Sequence, residues 1–140
     1  MQISTRFSVG VHILALVYFC RDGGITSERM AGSVNTNPVV VRRIMGQLKR
    51  AGLIYTTPGV AGAILARPPE AITLLDVYHA VDAVHNTLFD VHENTNPACP
   101  VGANIQAALE SALTDAQAAM ENTLRRVTIA DVIAGIQARA

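Results

Sequence analysis

The chain has 140 residues, of which half are apolar, 16% are charged and 4% are aromatic, and its formal net charge is zero at pH 7. This length and apolar content suit one domain with a single core, exclude a disordered chain, and favour closely packed helices. Residues 1–70 carry eight Lys or Arg against Asp22, Glu28 and Glu70, while residues 71–140 carry three Arg against eight acidic residues, so a polyanion-facing end and a protein-facing end are expected.

The pattern over 3–21 predicts a first helix, with Ser4 or Thr5 at its start and Gly23-Gly24 beyond its end. Its apolar coverage is nearly all round, so it should be the central helix of the domain. His12 reads as a satisfied histidine, and Arg6, near the start, is open to either a phosphate contact or a plain surface role. The apolar run Val9 to Cys20 is interrupted only by His12 and is too short to span a bilayer. With no basic segment before it and no cleavage pattern after it, a signal peptide is not expected. Cys20 and Cys99 make no disulfide framework. The expected location is the cytoplasm.

Thr26 or Ser27 caps a second helix through about Val34, with Met30, Ala31 and Val34 inward, and Asn35-Thr36 forms a tight turn. Ser27 stands among the candidate DNA contacts. The third helix is the centre of the reading. Asn37 is a good N-cap, Pro38 suits the first helical position, and Gly52 suits the residue past the end. Val41, Ile44, Met45 and Leu48 form one apolar stripe. The opposite face carries Val39, Arg43, Gly46 and Arg50, flanked by Arg42, Gln47 and Lys49, with no acidic residue. Such a helix packs one side on a core and offers the other to phosphates and base edges. A solvated basic face is the ordinary alternative. The preceding helix and short turn favour a DNA-binding helix-turn-helix, its second helix set for the major groove.

Two β-prone runs, 53–57 and 63–66, flank a turn at Pro58-Gly59 and read as a hairpin, the wing of a winged helix. Arg67-Pro68-Pro69 stops the second strand. A fourth helix runs from 72 to about 84, its start marked by Thr73 and Asp76 as an approximate capping box. The polar stretch 85–100 reads as a loop. From 101 to about 126 lies the longest helix, with Ile105, Leu109, Leu113, Ala116, Met120, Leu124 and Val127 spaced by three or four. It is longer than a winged domain can cover, so Ile105, Leu109, Leu113, Met120 and Leu124 are expected at a dimer interface. Thr128 and Asp131 repeat the capping signal before a short terminal helix.

Cys99 precedes Pro100 at the start of the long helix, where the positive end of the helix dipole favours a thiolate. A redox-sensing thiol and a small buried hydrophobe are both open readings. His85, His92 and Cys99 stand seven residues apart, a spacing that matches no recognised metal motif, so no metal is expected. No Walker loop, nucleophile elbow, metalloprotease helix or dinucleotide fingerprint is present, and catalysis is not expected.

Ser4-Thr5-Arg6-Phe7, the segment from Asn37-Pro38 to Leu53, Leu65-Ala66-Arg67-Pro68, and Ile72 to Val77 followed by Ala80-Val81-Asp82 together resemble the Rrf-two family of bacterial winged-helix transcription regulators. That family includes iron–sulfur-cluster and cysteine-metabolism repressors. The resemblance covers nearly the whole chain. It implies a homodimer whose long helices cross, each protomer presenting a recognition helix and wing to double-stranded DNA. A repressor is the expected regulator, with an activator as the alternative. Cluster-binding members carry three closely spaced cysteines before the dimer helix, whereas that region here has only Cys99. The resemblance is therefore to a branch lacking that triad, and no cofactor is expected. The family's wing often begins Arg-Gly and ends Gly-Gly-Tyr; here Pro58-Gly59 and Gly62-Ala63-Ile64 take those places. Wing contacts would then come from backbone amides near Gly59 and Gly62.

The expected architecture is mostly α: a winged helix-turn-helix over 1–84, a connecting loop over 85–100, and a dimerisation helix with a short terminal helix over 101–140. The expected function is a homodimeric DNA-binding regulator, open to a small-molecule or redox effector. A winged-helix protein-interaction adaptor that binds no DNA is the alternative.

Overall fold

The computed structural model describes residues 5–81 and 89–140. Six helices and a two-stranded sheet follow in the order α1 (Arg6–Phe19), α2 (Ser27–Val34), α3 (Pro38–Arg50), β1 (Ile54–Tyr55), β2 (Ile64–Leu65), α4 (Leu74–Ala80), α5 (Pro100–Arg125) and α6 (Ile129–Arg139). A 3-10 turn at Pro69–Ala71 leads into α4.

The first helix is the hub. It packs against α2, α3, α4, α6 and β2, and Ile13, Leu14 and Val17 are fully buried. Thr5 takes the N-cap position, as the expected start at Ser4 or Thr5 allows, and the helix ends at Phe19, short of the expected 21, because the chain turns there. Ser4 lies outside the described residues, as do the expected end of α4 near Val84, Asp82 and His85. His12 is satisfied by Ser33, with Nε2 and Oγ 2.9 Å apart. Burying aliphatic side chains is worth about 1.5–3 kcal/mol each, and the core formed by Met30, Val41, Ile44, Leu48, Leu53, Ile72 and Val77 around α1 supplies this.

The wing is an antiparallel pair, Ile54 opposite Leu65 and Tyr55 opposite Ile64. Its strands are shorter than the β-prone runs. Pro58, Gly59 and Gly62 divert the chain between them, and the Gly62 backbone turns onto the α1–α2 connection. Gly24 and Gly62 both have left-handed φ, +71° and +88°. A Cβ on Gly62 would stand 3.0 Å from the Gly24 Cα and the Ile25 N, so only glycine permits this backbone contact.

The long helix behaves differently. None of the 26 residues of α5 is buried. Of its apolar positions, Met120 and Leu124 pack against the core, whereas Ile105 and Leu113 are half-buried and Leu109 is exposed. After α5 the chain returns: Ile129 and Ile133 of α6 enter the core, and α6 packs on α1 and the 3-10 turn. The last helix therefore belongs with the winged unit in space, while α5 touches that unit through α4 and through Met120 and Leu124 near its C-terminal end.

Candidate nucleic-acid interface

Three local devices hold α3. At its start, Asn37 Oδ1 accepts from the Val39 amide at 2.7 Å, and Pro38 occupies the first turn. At its end, Gly52 takes φ +76°. Its amide donates to the Lys49 carbonyl while the Leu53 amide donates to that of Leu48, each at 3.0 Å. That pairing is a Schellman motif, and it delivers buried Leu53 directly into the wing. Before the helix, Asn35 at φ +63° forms the tight turn from α2, and the Thr36 amide donates to the Ala31 carbonyl at 3.0 Å. Thr26, rather than Ser27, caps α2, accepting from the Arg29 amide.

The apolar stripe falls inward as expected: Val41, Ile44 and Leu48 are buried and Met45 packs against them. Outward, Val39, Arg42, Arg43, Lys49 and Arg50 are exposed. Two cations are already engaged. Arg42 meets Glu28 of α2 at 3.5 Å, and Lys49 Nζ donates to Thr56 Oγ1 at the wing at 2.9 Å. Both ends of the Arg42 pair are more than half exposed, so it is worth under about 1 kcal/mol and can yield to a phosphate. Among the described residues, Arg43 and Arg50 make no hydrogen bond or ion pair. No acidic residue lies in the first turn of α3, and Lys49 and Arg50 stand in its last turn, where cations complement the negative end of the helix dipole.

The other candidate contacts divide. Gly59 lies at the exposed wing tip with open space around it, whereas Gly62 is turned against Gly24. Ser27 Oγ faces Met45 Sδ at 3.9 Å, so its hydroxyl points along the α2–α3 junction. The Gln47 amide oxygen is buried without a hydrogen-bond partner among the described residues, although the residue as a whole is half-buried. Arg6 Nε donates to the Val81 carbonyl at 3.2 Å, which ties the start of α1 to the end of α4. Sequence reasoning missed the Lys49–Thr56 and Gly24–Gly62 contacts, since each joins segments whose pairing no local pattern encodes. The Gly23-Gly24 pair was the available signal for the second contact.

Cys99 is the N-cap residue of α5 and is exposed. The amides of Gly102 and Val101 face its sulfur and hold the thiol pKa below its ordinary value, outweighing a small opposing desolvation. The Cys99 amide donates to the Asn96 carbonyl at 3.2 Å, and the Asn96 side chain accepts from Ala98 at 2.9 Å, so the approach to the cap is ordered.

The Rrf2 (Rrf-two) family, described as an iron-dependent transcriptional regulator, matches residues 3–135. YwnA of Bacillus subtilis (strain 168), assigned by its name to the HTH-type transcriptional regulators, is 47% identical over 132 residues, covering 94% of this chain and 97% of YwnA. A crystal structure of a protein assigned as DNA-binding is 42% identical with a TM-score of 0.76, covering 91% of this chain and 98% of that one. A regulator-type protein from Lactobacillus plantarum is 25% identical with a TM-score of 0.80, over 95% and 90% of the two chains.

The family's iron finds a poor donor set in this chain. Among the described residues, no group of three or more His, Cys, Asp or Glu could hold a metal ion. Cys99 and Cys20 sit on different helices, one exposed at the start of α5 and one half-buried after α1. A thiolate-held cluster on one protomer does not fit these residues. Among the described residues, no helix is long and apolar enough to cross a membrane. The match along residues 3–135, the winged-helix fold and the 47% identity to YwnA place this chain in the Rrf2 family of transcriptional regulators, which are not enzymes.

Proposed function

We propose that the chain is a cytoplasmic, homodimeric repressor that docks α3 of each protomer in the major groove of an operator. The observation that carries this reading is the outward face of α3. Its two central guanidiniums, Arg43 and Arg50, are uncommitted, while both helix ends are fixed by a cap and a Schellman motif. Arg42 and Lys49 flank the groove and exchange their present partners for phosphates. The wing tip at Gly59 offers its backbone amide to the adjoining strand. Dimerisation through Ile105, Leu109 and Leu113 is supported by the absence of any buried residue in α5 of a single protomer. Met120 and Leu124, partly covered by their own core, anchor the base of that helix.

Cys99 is the effector point of this reading. Its lowered pKa and exposure favour oxidation of the thiolate, and its place at the N-cap of α5 links that chemistry to the dimer helix. Fluorescence anisotropy on pooled genomic fragments at two salt concentrations tests the DNA reading. Sub-micromolar binding whose affinity falls steeply with salt supports it. Binding no tighter than that of a neutral control protein, at both salts, favours an adaptor instead.

A further inference from the structure

Nothing in the fold requires residue 46 to be a glycine. Gly46 lies inside α3, where glycine is the poorest helix former after proline. A Cβ built there would meet only the Arg50 guanidinium tip, at 3.5 Å. At 100° per residue, Val39, Arg43, Gly46 and Arg50 fall within an arc of about 60°. Gly46, itself half-buried, therefore lies at one edge of this arc on the outward face, with one uncommitted arginine a turn before it and another a turn after. At the leading end of the same arc, Val39 is 52% exposed, and its amide is pinned to Asn37. Both residues are unfavourable choices for a helix surface that meets only water.

Resting on the docking of α3 proposed above, we propose that Gly46 is the point of closest approach between α3 and the floor of the major groove, and that this seat brings Val39 against the C5-methyl of a thymine in each half-site. The major groove displays one apolar group, the thymine methyl, among otherwise polar base edges. Residues in the first turn of a recognition helix are the ones that reach those edges. A side chain at 46 would hold the helix away from the groove and lift Val39 and the two arginines together. The same bare position therefore serves both apolar and charged contacts.

The probe is a set of duplexes selected by the wild-type protein from a random library and resynthesised with deoxyuridine in place of thymidine, which removes only the methyl. Wild-type affinity is expected to fall about threefold to tenfold on the deoxyuridine duplexes. Val39→Ala should bind the two forms equally, at the level of wild type on deoxyuridine. Gly46→Ala should melt a few degrees higher, as a helix-interior glycine is removed, and yet bind on the order of tenfold more weakly. Arg43→Ala is the control for docking. If wild type binds both forms equally while Arg43→Ala still weakens binding, the thymine contact is refuted and α3 docking stands. Undiminished affinity in Gly46→Ala refutes the close approach. Indifference to both the methyl and Arg43→Ala removes the proposal together with the reading beneath it.

Discussion

Thr73 and Thr128 stand opposite one another as an antiparallel bridge pair, each the N-cap of its own helix. The Leu74 amide donates to the Val127 carbonyl at 2.9 Å and the Ile129 amide to the Ile72 carbonyl at 2.8 Å. Each threonine also closes a full capping box, with Asp76 and Asp131 returning to the cap amides. Two helix starts are thus clasped back to back over the fully buried Ile72 and Ile129. This clasp carries the chain from the end of α5 into the winged core.

Removing either cap hydroxyl should loosen the clasp. Thr73→Ala and Thr128→Ala are each expected to cost about 1 kcal/mol of stability, read from urea denaturation. Because the two caps share a bridge, their double variant should depart from simple additivity. Strict additivity would mean that the helices are held independently.

The wing makes a sharper stability test. Gly59 and Gly62 both have left-handed φ, but only Gly62 meets a neighbouring backbone. Gly59→Ala is expected to cost about 1 kcal/mol for the conformation alone. Gly62→Ala should cost more, on the order of 1–3 kcal/mol beyond that, since a strained φ and a steric overlap add. Equal losses would show that the Gly24–Gly62 contact is not a constraint.

Most of this fold could be read from local chemistry. The Asn37-Pro38 start, the Gly52 stop and the threonine–aspartate pairs are local signals, and each formed the cap expected of it. The apolar stripe of α3 followed from helical period. What could not be read was the pairing of segments distant in sequence. Thr73 with Thr128, Gly24 with Gly62 and Arg6 with Val81 depend on how the elements pack. The inward amide oxygen of Gln47 is similar: its position on the helix wheel is at the flank of the basic face, and the neighbouring packing decides which way it turns.

The proposed dimer is held by α5. Leu113→Asp places an unpaired carboxylate in the proposed seam, where desolvation is costly, and sedimentation should show a monomer with weakened operator binding. A variant that remains dimeric would mean that α5 serves its own protomer.

Cys99 should show its environment in its reactivity. The folded thiol pKa lies below the unfolded value, so the thiolate is favoured by folding above the unfolded pKa, and that preference is lost as pH falls through the folded pKa. The rate of alkylation by iodoacetamide should therefore reach half its maximum at a lower pH in the native Cys20→Ser variant than in the same protein unfolded. Coincident profiles would remove the activated thiol. If Cys99 also controls DNA binding, mild peroxide should weaken the wild type and leave Cys99→Ser unaffected.

Arg43→Ala bears most directly on the recognition role proposed for α3. The substitution removes an uncommitted guanidinium without touching the core, so the melting temperature should hold, in contrast to Leu48→Ala, which should lose about 2–5 kcal/mol. DNA affinity of Arg43→Ala should fall by about 1–3 kcal/mol per contact, with preference relaxed at one base pair in each half-site. Lys49→Ala should instead weaken all sequences alike and reduce the salt slope by about one unit per lost phosphate contact. This split between selectivity and salt dependence is expected in a single anisotropy series on the selected duplexes. Arg43→Ala binding its preferred duplex as tightly and as selectively as wild type would contradict it.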